Sequence, residues 1–163
     1  MNIDPFFIWL ESTALSQWVV GSLSLFAFPG ILALHAIGMG FAVGISAALD
    51  LRILGVARGV PIEQLRRFLP ILWAGFWLNA VSGVLLLIGY PTKALTNPVF
   101  YLKLLLIGVA MGILIRLDRR ILAGTAEGRQ ARRLAMVSLV CWSGAIFAGR
   151  FLAYTYRRLT AIE

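Results

Sequence analysis

The sequence contains few of the residues that build most catalytic and metal sites. One cysteine and one histidine occur among 163 residues, and only 13% of the residues are charged. A single cysteine excludes an internal disulfide bond and any metal site made of several cysteines. The sequence also lacks a glycine-rich nucleotide loop and a pair of candidate catalytic carboxylates, so we do not expect hydrolytic or ATP-driven chemistry.

Hydrophobic residues take the place of the missing charge. They form 60% of the chain, and its mean hydropathy is +0.88, whereas a soluble domain is about 45–50% apolar and about 25% charged. The composition therefore predicts an all-α integral membrane protein with one domain over residues 1–163. The first basic residue is Arg52, so we do not expect a cleavable signal peptide, which begins with a basic region.

Apolar segments long enough to cross a membrane follow one another along the chain, since a hydrocarbon core of about 30 Å requires about 20 helical residues. The four predicted spans are residues 30–49, 68–90, 99–117 and 134–156. Residues 14–49 carry no charge, and Pro29 divides this stretch because proline removes a backbone hydrogen bond. We therefore expect residues 4–28 to form an interfacial or half-inserted helix, with aromatic side chains at the level of the lipid headgroups.

Basic residues are distributed unequally between the two sides of this predicted four-helix bundle. Ten arginines follow the first and third spans: Arg52, Arg58, Arg66, Arg67, Arg116, Arg119, Arg120, Arg129, Arg132 and Arg133. Loops rich in arginine and lysine stay in the cytoplasm, so the pattern predicts a multi-pass membrane protein with both termini outside the cytoplasm. Because the arginines lie at span ends, the net charge of +8 does not indicate a nucleic-acid partner. The partners that we expect are membrane lipids and a homo-oligomer or larger membrane complex.

Three ionisable side chains lie inside the predicted spans at a similar depth. His35 is in the first span, Lys103 in the third and Arg150 in the fourth. At about 1.5 Å per residue, all three fall about 6–9 Å from the same membrane boundary. Ionisable residues in spans are costly and usually face the bundle interior, which makes them functional candidates.

Haem b suits a layer of this composition. Its iron accepts a histidine, here His35, and its propionates pair with arginine or lysine, here Arg150 and Lys103. Gly38, one turn beyond His35, is expected to leave room for the flat ring. The chain has no second histidine, and Met39 lies on the same helix face as His35, so the sixth iron position is empty or is filled by Lys103 or a partner chain.

Aromatic and polar side chains near this layer are further candidates. Trp77 and Tyr154 are predicted to wall the haem pocket, with ordinary core or interfacial positions as the alternative. Asn79 and Ser82, in the middle of the second span, either bond across helices or touch the ligand. His35 itself has a structural alternative, as a neutral core histidine that is bonded to a carbonyl one turn back. Lys103 and Arg150 can instead extend their charged groups to the lipid headgroups.

Other features concern helix packing. The pairs Gly40 with Gly44 and Gly108 with Gly112 have the spacing that lets membrane helices approach closely. Asp50, at the other end of the first span, is expected to be solvated at headgroup level or paired with a loop arginine.

Four motifs follow one another over about residues 11–156: "LHAIGMGFAVG", "LDLRILG", "NPVFYLK" and "AGRFLAY". In these motifs the sequence resembles a bacterial family of small four-helix membrane proteins of unknown function, and this resemblance implies a bacterial inner-membrane protein. Arg150 matches a position in the last motif. More distantly, the histidine of the first span and the lysine in "YLKLLL" look like those of copper-resistance-D-type membrane domains and HemJ-type protoporphyrinogen oxidases. This second resemblance implies haem b or a porphyrin at His35 and Lys103.

These observations lead to three hypotheses of function. The first is a b-type haem protein that transfers electrons near the extracytoplasmic face of the membrane. The second is a cofactor-free membrane subunit or anchor of a larger complex. The third is a porphyrin-handling oxidoreductase, which resembles protoporphyrinogen oxidase and uses the same residues to bind carboxylates.

Overall fold

The structure is a computed structural model that describes residues 5–56, 58–124 and 128–159, without the side chains of residue 153 and residues 155–159. Residue 4 and the side chain of residue 156, which are the ends of two predicted segments, lie outside this description. The helices are α1 (Pro5–Glu11), α2 (Ala14–Gly21), α3 (Phe28–Leu54), α4 (Ile62–Arg66), α5 (Leu69–Gly89), α6 (Pro91–Leu95), α7 (Pro98–Leu122) and α8 (Arg129–Leu159). The described residues contain no β-strand.

Four stretches of the structure are long and apolar enough to cross a membrane. They comprise α3, α4 with α5, α7, and α8 as far as Leu152. The predicted all-α membrane bundle is therefore confirmed, and the two short helices α1 and α2 precede it. The third and fourth long helices extend beyond the predicted spans on the side of the arginines. Arginine is a good helix former, so charge ends the apolar part of these helices without ending the helix.

Local sequence signals account for where the long helices begin and end. Pro29 lies in the first turn of α3 and Pro98 in the first turn of α7, where a missing N–H costs nothing. The side chain of Asn97 accepts a hydrogen bond from the backbone N–H of Val99 at 3.0 Å and caps α7. Gly55, with φ of 103°, follows α3 in the left-handed conformation that ends many helices.

The long helices pack side by side in the order α5, α3, α8, α7. Helix α3 contacts both α5 and α8, and α7 contacts α8, whereas α5 and α7 make no extended contact. The connections from α3 to α5 and from α7 to α8 lie together on what we call the arginine-rich side. Arg66 on α4 forms a salt bridge with Asp118 on α7 there, which links the first connection to the end of α7.

The buried core lies mainly in the half of the bundle near the arginine-rich side. All four long helices contribute to it, through Leu49, Leu69, Leu72, Ala110, Met111, Leu114, Ile121, Cys141 and Trp142. Helix α7 has no buried residue before Ala110. The half of the bundle away from the arginines is consequently less tightly closed, and His35 and Lys103 lie in it.

The predicted glycine contacts are wrong within this chain. A Cβ atom added at Gly40, Gly44, Gly108 or Gly112 would meet nothing within 4 Å. The close approach occurs instead between Gly38 and Gly75, where added Cβ atoms would lie 2.7 Å from Gly75 O and 3.0 Å from Gly38 O. The spacing rule identifies glycines that permit contact, and the rotation of the helix determines which of them faces a neighbour.

Candidate functional site

The site centres on the imidazole ring of His35, which lies in the contact between α3 and α5. Its Nδ1 atom is 2.9 Å from the carbonyl oxygen of Asn79 and 3.2 Å from the hydroxyl oxygen of Ser82. A Cβ added at Gly83 would lie 3.1 Å from Cε1 of the ring. The absence of a side chain at Gly83 therefore lets the ring lie directly against the α5 backbone.

The hydrogen bonds of His35 determine which ring nitrogen carries the proton. A carbonyl oxygen can only accept, so Nδ1 must be the donor to Asn79. The hydroxyl of Ser82 donates to the carbonyl of Leu78 at 2.6 Å, which leaves it as a second acceptor for the same proton. In a neutral ring, Nε2 then holds the lone pair. Nε2 has no hydrogen-bond partner among the described residues.

Asn79 returns a hydrogen bond to the residue that it supports. Its Nδ2 atom donates to the backbone carbonyl of His35 at 2.7 Å, so the two residues are joined in both directions. These contacts show that Asn79 and Ser82 on α5 form hydrogen bonds with His35 on α3. Bonding across helices is one of the two roles predicted from the sequence. His35 is also bonded to a carbonyl on another helix, rather than to one a turn back on its own.

Lys103 is the second half-buried ionisable group of the layer. A Cβ added at Gly149 on α8 would lie 3.6 Å from Nζ and 3.7 Å from Cε of this lysine, so its stem runs along the α8 backbone. Its charge acts electrostatically on the His35 ring. No carboxylate among the described residues pairs with it, since Arg66 with Asp118 is the salt bridge found there.

Arg150, Trp77 and Tyr154 are placed differently from the two half-buried residues. Arg150 is exposed and directly follows Gly149, the position beside Lys103. Trp77 is 62% exposed and Tyr154 is 65% exposed. Trp77 is two positions from both Gly75 and Asn79, which puts it on nearly the opposite face of α5 at about 100° per residue. The structure therefore does not bring these two aromatic rings together with His35.

The room expected beside Gly38 is not available. A Cβ at this position would lie 2.6 Å from the backbone nitrogen of Asn79, so α5 itself fills the space next to the glycine. The expectation that Gly38 accommodates a flat ring is wrong, because close helix packing uses the missing side chain. A ligand of His35 must approach Nε2 from the side of the ring away from α5. The half of α7 that carries Lys103 buries no residue, which leaves that flank of the layer without a tightly packed cover.

Two further features of the structure bear on what the site can hold. Among the described residues, no three His, Cys, Asp or Glu side chains form a group that could hold a metal ion. A metal at His35 would therefore need its other ligands from a bound molecule or from a different type of residue. A cavity of about 640 Å³ is lined by Glu11, Ser16, Gln17, Val20, Gly21, Gly89, Tyr90, Thr92 and Lys93, and His35 is not part of it.

A second polar cluster lies near the arginine-rich end of α3 and was missed by sequence reasoning. The indole Nε1 of Trp142 donates to the hydroxyl of Ser46 at 2.9 Å. One turn further along, Asp50 is only 1% exposed and lies opposite Ser138, which is 0% exposed. The expectation that Asp50 is solvated or paired with an arginine is wrong. The available signal was the spacing of Ser46 with Asp50 and of Ser138 with Trp142, four residues apart in each helix.

Comparison with known proteins adds no assignment to this geometry. No family model, no curated protein and no solved structure matches the chain. The resemblances described for the sequence therefore stay predictions.

Proposed function

We propose that this chain is a small integral membrane protein that binds haem b through Nε2 of His35 and transfers electrons on the side away from its arginine-rich loops. The observation that supports the proposal best is the hydrogen bond from Nδ1 to the carbonyl of Asn79. Metal-ligating histidines almost always donate their other N–H to a carbonyl or carboxylate. The residues present therefore fit a metal-binding histidine whose orientation would be fixed before the cofactor binds.

Lys103 supplies a positive charge where the propionates of haem b would need one. Burying a carboxylate without a partner in an apolar layer is costly. The ammonium of Lys103 is half-buried and has no acidic partner among the described residues, so a propionate would satisfy both groups. Arg150 is exposed at nearly the same level and is accessible to a second carboxylate at the rim of the layer.

The roles of the chain's own residues follow from these contacts. His35 provides the nitrogen ligand, and Asn79 keeps the ring in one tautomer and one orientation. Lys103 neutralises an anion, and the backbones of α3 and α5 exclude water from one side of the ring. When bound, haem b supplies a one-electron redox couple. The chain has a single histidine, so any further ligand of the iron would come from a partner chain, or from a deprotonated Lys103 instead of its pairing with a propionate.

The visible absorption spectrum tests this proposal. Protein purified from haem-replete cells should show a Soret band of nearly stoichiometric intensity, and His35→Ala should abolish or strongly shift the band. The matched control is Leu34→Ala, which alters an exposed neighbour on the same helix and should leave the spectrum unchanged. Colourless wild-type protein, or an unchanged spectrum in His35→Ala, would refute haem binding at this residue.

We also propose that the protein lies in the bacterial inner membrane with the arginine-rich side in the cytoplasm. The support is the ten arginines that lie in the two connections or at the adjoining helix ends, on the side that the positive-inside rule retains in the cytoplasm. Under this orientation both termini are extracytoplasmic, and the His35 layer lies nearer to the extracytoplasmic face.

A cofactor-free membrane subunit or anchor is the second candidate function. The reciprocal bonds between His35 and Asn79 favour it, because they give the histidine a structural role that needs no ligand. Under this alternative, purified protein is colourless and His35→Ala lowers stability as much as Asn79→Ala does. A coloured protein that oxidises a reduced porphyrin by itself would instead favour the porphyrin-handling oxidoreductase.

A further inference from the structure

The contact between α3 and α8 contains two polar layers that no haem site uses. Ser46 and Asp50 are one turn apart on α3, and Ser138 and Trp142 are one turn apart on α8. The helices run in opposite directions, so Ser46 meets Trp142 while Asp50 meets Ser138. Asp50 is fifteen residues from His35 along α3, or about 22 Å at about 1.5 Å per residue.

The Asp50 layer contains two buried polar atoms, Oδ2 of Asp50 and Oγ of Ser138. Neither has a hydrogen-bond partner among the residues that the structure describes. By contrast, the Ser46 layer is satisfied by the bond from the indole of Trp142. Native proteins rarely leave such atoms unpaired, so two of them facing each other across one contact require an explanation.

An ionised carboxylate at Asp50 would be poorly supported here. Removing a carboxylate from water costs several kcal/mol even after relaxation, unless a cation compensates. Arg66 on the neighbouring α4 forms its salt bridge with Asp118. The side chain of Arg52 on α3 itself donates to the carbonyl of Val60.

We propose that Asp50 is a proton-binding site, in which the neutral carboxylic acid donates a hydrogen bond from Oδ2 to the hydroxyl oxygen of Ser138. One proton then gives both of these atoms a hydrogen-bond partner. A metal cation is a poorer occupant, because the layer offers one carboxylate and one free hydroxyl. Divalent cations such as Ca²⁺ take six to eight oxygen ligands.

The proton gives the contact between α3 and α8 a dependence on pH. Losing the proton would place an uncompensated charge in the contact, so the closed contact is stable while Asp50 is neutral and weakens as pH rises. Among the helices packed against α3, α4 carries Glu63 and Arg66, and α8 carries Arg129, Arg132 and Arg133 near its start and the buried thiol of Cys141, while α5 contributes apolar residues to this core. The Asp50 carboxyl itself is buried against Ser138.

Infrared spectroscopy tests the site directly. Protein in a maltoside detergent, which has no carbonyl group, should show the carbonyl band of a protonated carboxylic acid at neutral pH, and the band should shift in D₂O. Asp50→Asn should remove it. Ser138→Ala should retain the band but move it to higher frequency, because the acid loses its acceptor. The matched control, Ser143→Ala, alters an exposed serine on the same helix and should leave the band in place.

The outcomes separate the proposal from a purely structural role. Wild-type protein without the band, or a band that survives Asp50→Asn, would overturn the proton assignment. A band that Ser138→Ala leaves unmoved would overturn the hydrogen bond. If Asp50→Asn does not fold, the wild-type spectrum and the spectra of the two serine variants still test whether Asp50 is protonated and bonded to Ser138. Thermal unfolding gives an independent measurement. In wild-type protein, stability should fall as pH rises above about 4, the ordinary pKa of an aspartate, and should level off once Asp50 is ionised in the folded protein, whereas Asp50→Asn should show much less of this fall.

Discussion

Replacing Gly38 by alanine should force α3 and α5 apart at the point where they support His35. The added Cβ would lie 2.6 Å from the backbone nitrogen of Asn79 and 2.7 Å from the carbonyl oxygen of Gly75. Both are backbone atoms and cannot rotate away. Since ordinary van der Waals contact begins at 3.4 Å, the two backbones must separate by about 0.8 Å.

The separation has a cost that can be worked out from two contributions. Overpacking a well-packed contact typically costs about 1–3 kcal/mol. A shift of about 0.8 Å would also lengthen the two bonds between His35 and Asn79, now 2.9 and 2.7 Å, to distances at which they no longer count as hydrogen bonds. Each such bond between membrane helices contributes about 0.6 kcal/mol. We therefore expect the free energy of unfolding to fall by about 2–4 kcal/mol.

Equilibrium unfolding in mixed detergent micelles, followed by circular dichroism, measures this loss. Gly40→Ala and Gly44→Ala are matched controls on the same helix, because a Cβ at either position meets nothing within 4 Å. These controls should be neutral or stabilising by up to about 1 kcal/mol, since alanine is the better helix former. If Gly38→Ala is as stable as the controls, the close approach of α3 to α5 does not exist and the geometry assigned to His35 is wrong.

Three other changes test separate parts of the structure. Lys103→Met keeps the length of the stem but removes the charge, so haem content should fall while membrane insertion is retained; unchanged haem content would mean that the lysine only reaches the headgroups. Ser46→Ala leaves the buried indole N–H of Trp142 without an acceptor and should cost about 1–3 kcal/mol in chemical unfolding, whereas Ser143→Ala should cost little. A reporter that is active only in the cytoplasm should be inactive when fused after Glu163, and activity there would reverse the proposed orientation.

Hydrophobic runs and helix signals were sufficient to predict the architecture. A span of apolar residues has few alternatives to a helix in lipid, because each backbone polar group must be bonded within its own segment. The predicted second span, residues 68–90, therefore differs from α5 by one residue at each end. Pro29 predicts the point at which α3 begins, because proline is tolerated in the first turn of a helix, and the structure has Pro29 there.

The residues of the candidate site were only partly predictable. His35 and Lys103 can be predicted as candidates from the sequence because ionisable groups are rare in membrane spans. In the structure both side chains are half-buried. Trp77 and Tyr154 were predicted to wall the haem pocket, yet their side chains are exposed. The depth of a residue in the membrane follows from counting residues along its helix. The direction in which its side chain points depends instead on how the helix is rotated about its axis.

By itself, the sequence determined the membrane class, the four long helices and the depth of the ionisable residues, because these depend on local hydropathy and on a fixed rise per residue. Only the tertiary structure decided which atoms meet. It placed Asn79 and Ser82 against Nδ1 of His35, and it enclosed Asp50 opposite Ser138 instead of leaving it in water. Those outcomes depend on helix rotation and on close approach at Gly38 and Gly75, which arise from packing between segments that are distant in the chain.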